Sequence, residues 1–134
     1  MDREQLTRAV TEPLASLGGR LVAAYLFGSF ARGTDRPDSD VDIAILLRSV
    51  PSDALDGARL TVEGELELAL GRRCQLVLLN TAPPDLVHRV LRDGRLLVDR
   101  DPAARIAFEV RARNQYFDLL PVLRRYRRRE AASP

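Results

Sequence analysis

Apolar residues along this chain switch between a helical and an extended period, and most switches fall at glycine or proline. Leu6, Val10, Leu14 and Leu17 recur at helical spacing behind Asp2 as an N-cap, and Gly18-Gly19 stops the pattern, so a first helix bent near Pro13 is expected. Leu21 to Phe27 is then a nearly continuous apolar run, too short for a helix, which predicts a strand buried on both faces and ended by Gly28. Ser29 to Arg32 suits a short helical turn, and Gly33-Thr34-Asp35-Arg36-Pro37-Asp38-Ser39 reads as a loop by its turn chemistry. A second strand is expected from Asp40 to about Leu47.

Past Pro51-Ser52, the positions Leu55, Ala58, Val62, Leu66 and Ala69 mark an amphipathic helix closed by Gly71, and Gln75 to Leu79 makes a third strand. Pro83-Pro84 opens a helix with Leu86, Val87, Val90 and Leu91 inward and Gly94 at its end, followed by a short strand from Leu96 to Val98. Asp101-Pro102 caps a final helix from about residue 102, expected to turn Ala103, Ile106, Ala107, Val110, Phe117 and Leu120 toward a core. Pro121 should kink or end it by removing a backbone donor, before an Arg-rich tail over residues 124–134. This order predicts one α+β domain over residues 1–134, a small mixed β-sheet covered by helices.

Composition narrows the classes. No apolar run approaches the roughly 20 residues of a membrane-spanning helix, and the polar N-terminus is no secretory signal, so a cytoplasmic protein is expected. The single Cys74 excludes an internal disulfide and a thiolate cluster, and reads as core packing, while the lone His88 reads as part of a solvated helix face. A net charge of +2 is too small for general nucleic-acid binding, although Arg124, Arg125, Arg127, Arg128 and Arg129 crowd one end. All 21 basic residues are arginine, the better bidentate partner for phosphate and carboxylate.

The chemistry concentrates at two strand ends. Gly28 lets backbone approach an anion without a Cβ in the way, and Ser29 adds a hydroxyl and an N–H at the start of a helical turn. Asp40 and Asp42 flank Val41, so on a strand their carboxylates project from one side about 7 Å apart. Unpaired they would repel each other; Mg²⁺ would neutralise them while also binding phosphate oxygens and water, with Mn²⁺ as an alternative.

Gly28-Ser29-Phe30-Ala31-Arg32-Gly33 followed by Ser39-Asp40-Val41-Asp42-Ile43 closely resembles the signature of the polymerase β nucleotidyltransferase superfamily, and most of all its minimal nucleotidyltransferase group. The resemblance extends through Leu79-Asn80-Thr81-Ala82-Pro83-Pro84, the segment from Leu91 to Leu97, and Tyr116-Phe117-Asp118. It implies a palm-like fold, Gly28 and Ser29 on the β and γ phosphates of a nucleoside triphosphate such as ATP, and Asp40 and Asp42 as catalytic metal ligands. Arg32 would add positive charge near phosphate.

The family usually supplies a third carboxylate from the next strand, at the position of Gln75, and glutamine cannot serve as a carboxylate base. Glu63, Glu65, Glu67 and Glu109 lie in expected helices and read as solvated faces or ion pairs rather than substitutes. Two readings follow. One is a transferase that moves a nucleotidyl (AMP) group from Mg-ATP to a hydroxyl of a protein partner. The other is a catalytically weak or inactive antitoxin-like binding module. The resemblance implies a small helical HEPN-type partner in either case, and a homo-oligomer is compatible with both.

Overall fold

Gly18, at φ +58°, makes the left-handed turn that ends the first helical pattern, and Arg20 leads directly into strand β1 (Leu21–Phe27). The computed structural model describes residues 3–50 and 55–132. Helix α1 (Arg3–Leu14) precedes β1, with Pro13 in its last turn and a short 3₁₀ segment (Ala15–Arg20) between. After β1 come α2 (Ser29–Arg32), β2 (Val41–Leu47), α3 (Leu55–Leu70), β3 (Cys74–Leu78), α4 (Pro84–Asp93), β4 (Arg95–Asp99) and α5 (Pro102–Ala132). The Asp2 cap and the Pro51-Ser52 break lie outside the described residues, as do the side chains of Leu55 and Ala58.

The sheet order is β3-β2-β1-β4, with β1 antiparallel to β2 and β4, and β2 parallel to β3. This is the mixed sheet expected from the pattern. One face packs Ala24, Leu26, Ile43, Ile45 and Leu76 against α1 and α3 through Leu6, Val10, Leu14, Val62 and Leu66. The other face carries Val22, Tyr25, Ala44 and Leu46 beneath α4 and α5. Helices on both faces explain why β1 and β2 read as unbroken apolar runs.

The exposed edge of β3 is closed by α3. Glu67 Oε1 accepts the Cys74 N–H at 3.2 Å and Glu63 Oε1 accepts the Leu76 N–H at 3.0 Å, giving an edge strand's outward donors partners. Asn80 extends the ladder beyond β3, its amide accepting from Leu47 N at 2.9 Å and donating to Leu47 O at 2.8 Å.

Several expectations are corrected. β2 starts at Val41, leaving Asp40 one residue before it, and β3 spans Cys74–Leu78 rather than Gln75 to Leu79. On α3, Leu70 is buried where Ala69 was expected, and His88 is partly buried, stacked on Tyr116 with ring centroids 3.7 Å apart. The largest correction concerns α5. Its inward face is Ala104, Phe108 and Ala112, whereas Ala103, Ile106, Ala107, Val110 and Phe117 are exposed and Leu120 is partly covered.

That choice of face is fixed by polar bonding. Tyr25 Oη donates to Glu109 Oε1 at 2.7 Å, and Arg105 Nη1 donates to the same oxygen at 3.1 Å. Arg105 Nε also sits 3.0 Å from Asp99 Oδ2, without the alignment of a hydrogen bond, as an ion pair. Rotating α5 to bury Ile106 and Val110 would break this half-buried network. Pro121 does not end the helix, which continues to Ala132. The proline is exposed, so the carbonyl it leaves without a helical donor can bond water.

Candidate active site

The antiparallel register places Phe27 opposite Asp42, so the turn that ends β1 lies beside the start of β2. The parallel register then places Gln75 opposite Asp42 on the other side. Directly opposed residues share a face, and here it is the face covered by α4 and α5. Three strand ends thus bring Gly28, Asp42 and Gln75 into one row.

Gly28 has φ +74° and ψ −154°, a conformation nearly confined to glycine. A Cβ built there would collide with Asp42 Oδ2 and lie 3.1 Å from its Cγ. The bare backbone therefore does two jobs, making a turn no L side chain favours and leaving room for the Asp42 carboxylate. Gly28 O accepts the Arg32 N–H at 3.2 Å and Ser29 O accepts the Thr34 N–H at 2.9 Å, closing α2 into one rigid turn. Gly33, at φ +73°, ends it.

The following loop is held from outside. Arg72 donates to the carbonyls of Arg36 and Ser39 at 3.0 and 3.4 Å and lies over the Phe30 ring at 4.9 Å. Val41 N donates to Arg73 O at 2.9 Å. Together these fix the position from which Asp40 enters β2.

A cleft of about 330 Å³ opens beneath the row, lined by Phe27, Gly28, Arg32, Asp42, Gln75, Val77, Leu86, Arg89 and Asp93. An adjoining cavity of about 350 Å³ is lined by Asp40, Glu63, Glu67, Arg73, Cys74 and Gln75. Asp40 and Asp42 thus face adjacent hollows that meet at Gln75. Burial holds the Asp42 carboxyl above the usual carboxylate range, the nearby Asp40 charge adds to this, and Arg32 opposes it. Burial, with Glu63 and Glu67, likewise pushes the Cys74 thiol up to about 12, which makes it inert packing.

Neither aspartate carboxylate has a hydrogen-bond or ion-pair partner among the described residues. An exposed Asp40 beside a partly buried Asp42, neither with a partner among the described residues, fits a hard cation. Among the described residues no group of three or more His, Cys, Asp or Glu side chains could hold a metal alone. Phosphate oxygens and water would have to complete the shell, as Mg²⁺ allows. The sequence reading did not identify Arg89 and Asp93, which α4 presents to the cleft one turn apart. The i, i+4 spacing with Leu86 on the same side is the only signal it offered. Asp93 is paired in bidentate fashion with Arg92, at 2.9 Å for each contact.

The profile of the Polymerase beta, Nucleotidyltransferase family matches residues 14–103. A protein adenylyltransferase MntA from Shewanella oneidensis is 38% identical over 79 residues, which is 58% of this chain and 54% of that protein. A second protein adenylyltransferase MntA, from Thermococcus cleftensis, is 35% identical over 68 residues, 51% of this chain and 66% of that one. The chain thus matches about half to two thirds of the length of these relatives. Among solved structures, a chain of a toxin-antitoxin crystallised with AMP-PNP has a TM-score of 0.81 at 26% identity, covering 94% of this chain and 98% of that one. Among the described residues no helix is long and apolar enough to cross a membrane.

Proposed function

Because the chain belongs to the polymerase β nucleotidyltransferase family, we propose that it transfers an adenylyl group from ATP to a hydroxyl of a small helical HEPN-type partner, as one half of a toxin-antitoxin pair. The observation that carries this reading is the seat of Asp42, a carboxylate unpaired among the described residues, pressed against the bare backbone of Gly28 where both line a cleft. Relatives named protein adenylyltransferases, and a structural neighbour crystallised as a toxin-antitoxin with AMP-PNP, support the donor and the kind of partner. ATP as donor is consistent with action in the cytoplasm.

In this reading the amide groups of Gly28 and Ser29 and the Ser29 hydroxyl hold the terminal phosphates, and Arg32 and Arg89 balance their charge. Asp40 and Asp42 hold Mg²⁺, or Mn²⁺, which when bound neutralises phosphoryl oxygens and lowers the barrier to proton loss from the acceptor. The acceptor oxygen attacks the α-phosphorus in line, the bond to the bridging oxygen breaks, and pyrophosphate leaves. The raised Asp42 carboxyl suits it to respond strongly to a cation.

One observation favours a second reading. Gln75 sits in register with Asp42 where the resemblance leads one to expect a third carboxylate. A neutral amide there would weaken turnover more than nucleotide binding and leave an antitoxin-like binding module. Incubation with the helical partner and ATP labelled at the α or the γ position separates the two. The transferase reading expects α label alone on the partner, lost in Asp40→Asn and Asp42→Asn. Partner binding without label in the native chain would establish the module instead.

A further inference from the structure

Helix α5 has 31 residues and, at about 1.5 Å per residue, runs for roughly 46 Å. It meets the sheet through Ala104, Phe108 and Ala112, and its opposite side carries a second, exposed row that joins neither core cluster of the described residues. Ile106, Val110, Phe117 and Pro121 recur along that side at steps of four, seven and four residues, the spacing of a helix-packing seam. Ile106, Val110 and Phe117 are 50%, 47% and 60% exposed. The row then continues as Arg124 and Arg128 on the same side.

We propose that this outer row of α5 is a docking surface for an amphipathic helix of a protein partner whose apolar stripe runs into an acidic segment. This rests on the reading above that the chain works on a helical protein, and adds which surface holds that protein and what chemistry it must carry.

Charge decides between occupants. A second copy packed in parallel would bring Arg124 and Arg128 against their own counterparts. Packed antiparallel, it would lay those arginines on Ile106 and Val110, where the row offers no carboxylate. Burying guanidinium groups against apolar side chains without partners is unfavourable. An acidic helix satisfies both halves of the row, leucine-like side chains on Val110 and Phe117 and carboxylates on Arg124 and Arg128. The cleft is lined by β1, α2, β2, β3 and α4, not α5, so docking on this row leaves it open to nucleotide.

The test uses two synthetic amphipathic helices of about 25 residues with leucines at the seam positions, one ending in a glutamate run and one in a lysine run. Fluorescence anisotropy against the full chain should show binding of the glutamate helix at least tenfold tighter than the lysine helix. Val110→Asp/Phe117→Asp should weaken it at least tenfold, and Arg124→Glu/Arg128→Glu should reverse the charge preference. Both variants alter exposed positions, and unchanged thermal unfolding and Mg-dependent ATP binding would show that fold and cleft are intact. Equal binding of the two helices, binding indifferent to Val110→Asp/Phe117→Asp, or a dimer in sedimentation that the same substitutions dissolve would each overturn the proposal. ATP binding is read separately, so loss of the docking surface would leave the transferase reading standing, and the reverse.

Discussion

Replacing Gly28 by alanine isolates the contact on which the cleft depends, because Gly33 provides a matched control. The two glycines share nearly the same positive φ, +74° and +73°. A Cβ at Gly33 meets nothing within 4 Å, whereas at Gly28 it overlaps Asp42 Oδ2 and lies 3.1 Å from Cγ and 3.4 Å from Cβ. Gly33→Ala therefore bears backbone strain alone, about 1 kcal/mol for a left-handed alanine. Gly28→Ala sits in the glycine-only region, costing about 1 to 3 kcal/mol, and must also turn the Asp42 carboxylate aside. For a chain of this size about 1 kcal/mol shifts Tm by roughly 3–5 °C, so Gly33→Ala should lose a few degrees and Gly28→Ala several more.

Activity should separate them further. Displacing a catalytic group by about 1 Å is enough for roughly 100-fold, so Gly28→Ala should lose at least that in kcat/KM for AMP transfer while Gly33→Ala stays within about threefold of native. The assay is label transfer from ATP at a temperature where both variants are fully folded, beside calorimetric unfolding of each. If Gly28→Ala transfers as fast as Gly33→Ala, the proximity of Gly28 to Asp42 has no bearing on chemistry and the reasoning from that contact fails.

Asp42→Asn should abolish transfer yet raise Tm in metal-free buffer. The native carboxyl is held above its unfolded value, so its protonated form is the one the fold favours, and stability from this group is present at low pH and falls as pH rises through the carboxylate range. Gln75→Asp should raise the single-turnover rate tenfold or more in rapid-quench measurements if a missing carboxylate limits chemistry; no gain would show that it does not. Tyr25→Phe removes the donor to Glu109 and should cost about 1–2 kcal/mol by denaturant unfolding. The Tyr25 hydroxyl is shifted upward, chiefly by burial and then by Glu109, so native stability should be constant below the ordinary tyrosine range near 10 and decline as pH climbs beyond it. Leu66→Ala, at a fully buried site between α3 and the sheet, should cost about 2–5 kcal/mol without changing the metal requirement of ATP binding.

How far the sequence disclosed this arrangement differs by element. β1 runs from Leu21 to Phe27 as expected because glycines bracket it and no helix fits between them. Gly28, Ser29, Asp40 and Asp42 were legible as types at meaningful spacing, but their assembly depends on two registers, Phe27 with Asp42 and Asp42 with Gln75, that no local pattern encodes. Arg89 was invisible because α4 has polar residues on several sides, and only the packing of Val87 and Val90 decides which side looks into the cleft. On α5 hydrophobicity itself misled. Two apolar rows compete there, and the larger side chains lie outside because Glu109 and Arg105 bind Tyr25 and Asp99 from the other. A polar network outweighed the stronger apolar stripe, leaving the stripe for something else.

The central claim is that Asp42, beside Asp40, binds a divalent cation that in turn binds the nucleotide's phosphates. Equilibrium ATP binding with and without Mg²⁺, in the native chain and in Asp42→Asn, tests it most directly. The account predicts that Mg²⁺ tightens native binding at least tenfold and leaves Asp42→Asn almost unchanged, while without metal the variant, freed of one negative charge, binds ATP the more tightly of the two. An equal gain from Mg²⁺ in both proteins would contradict it.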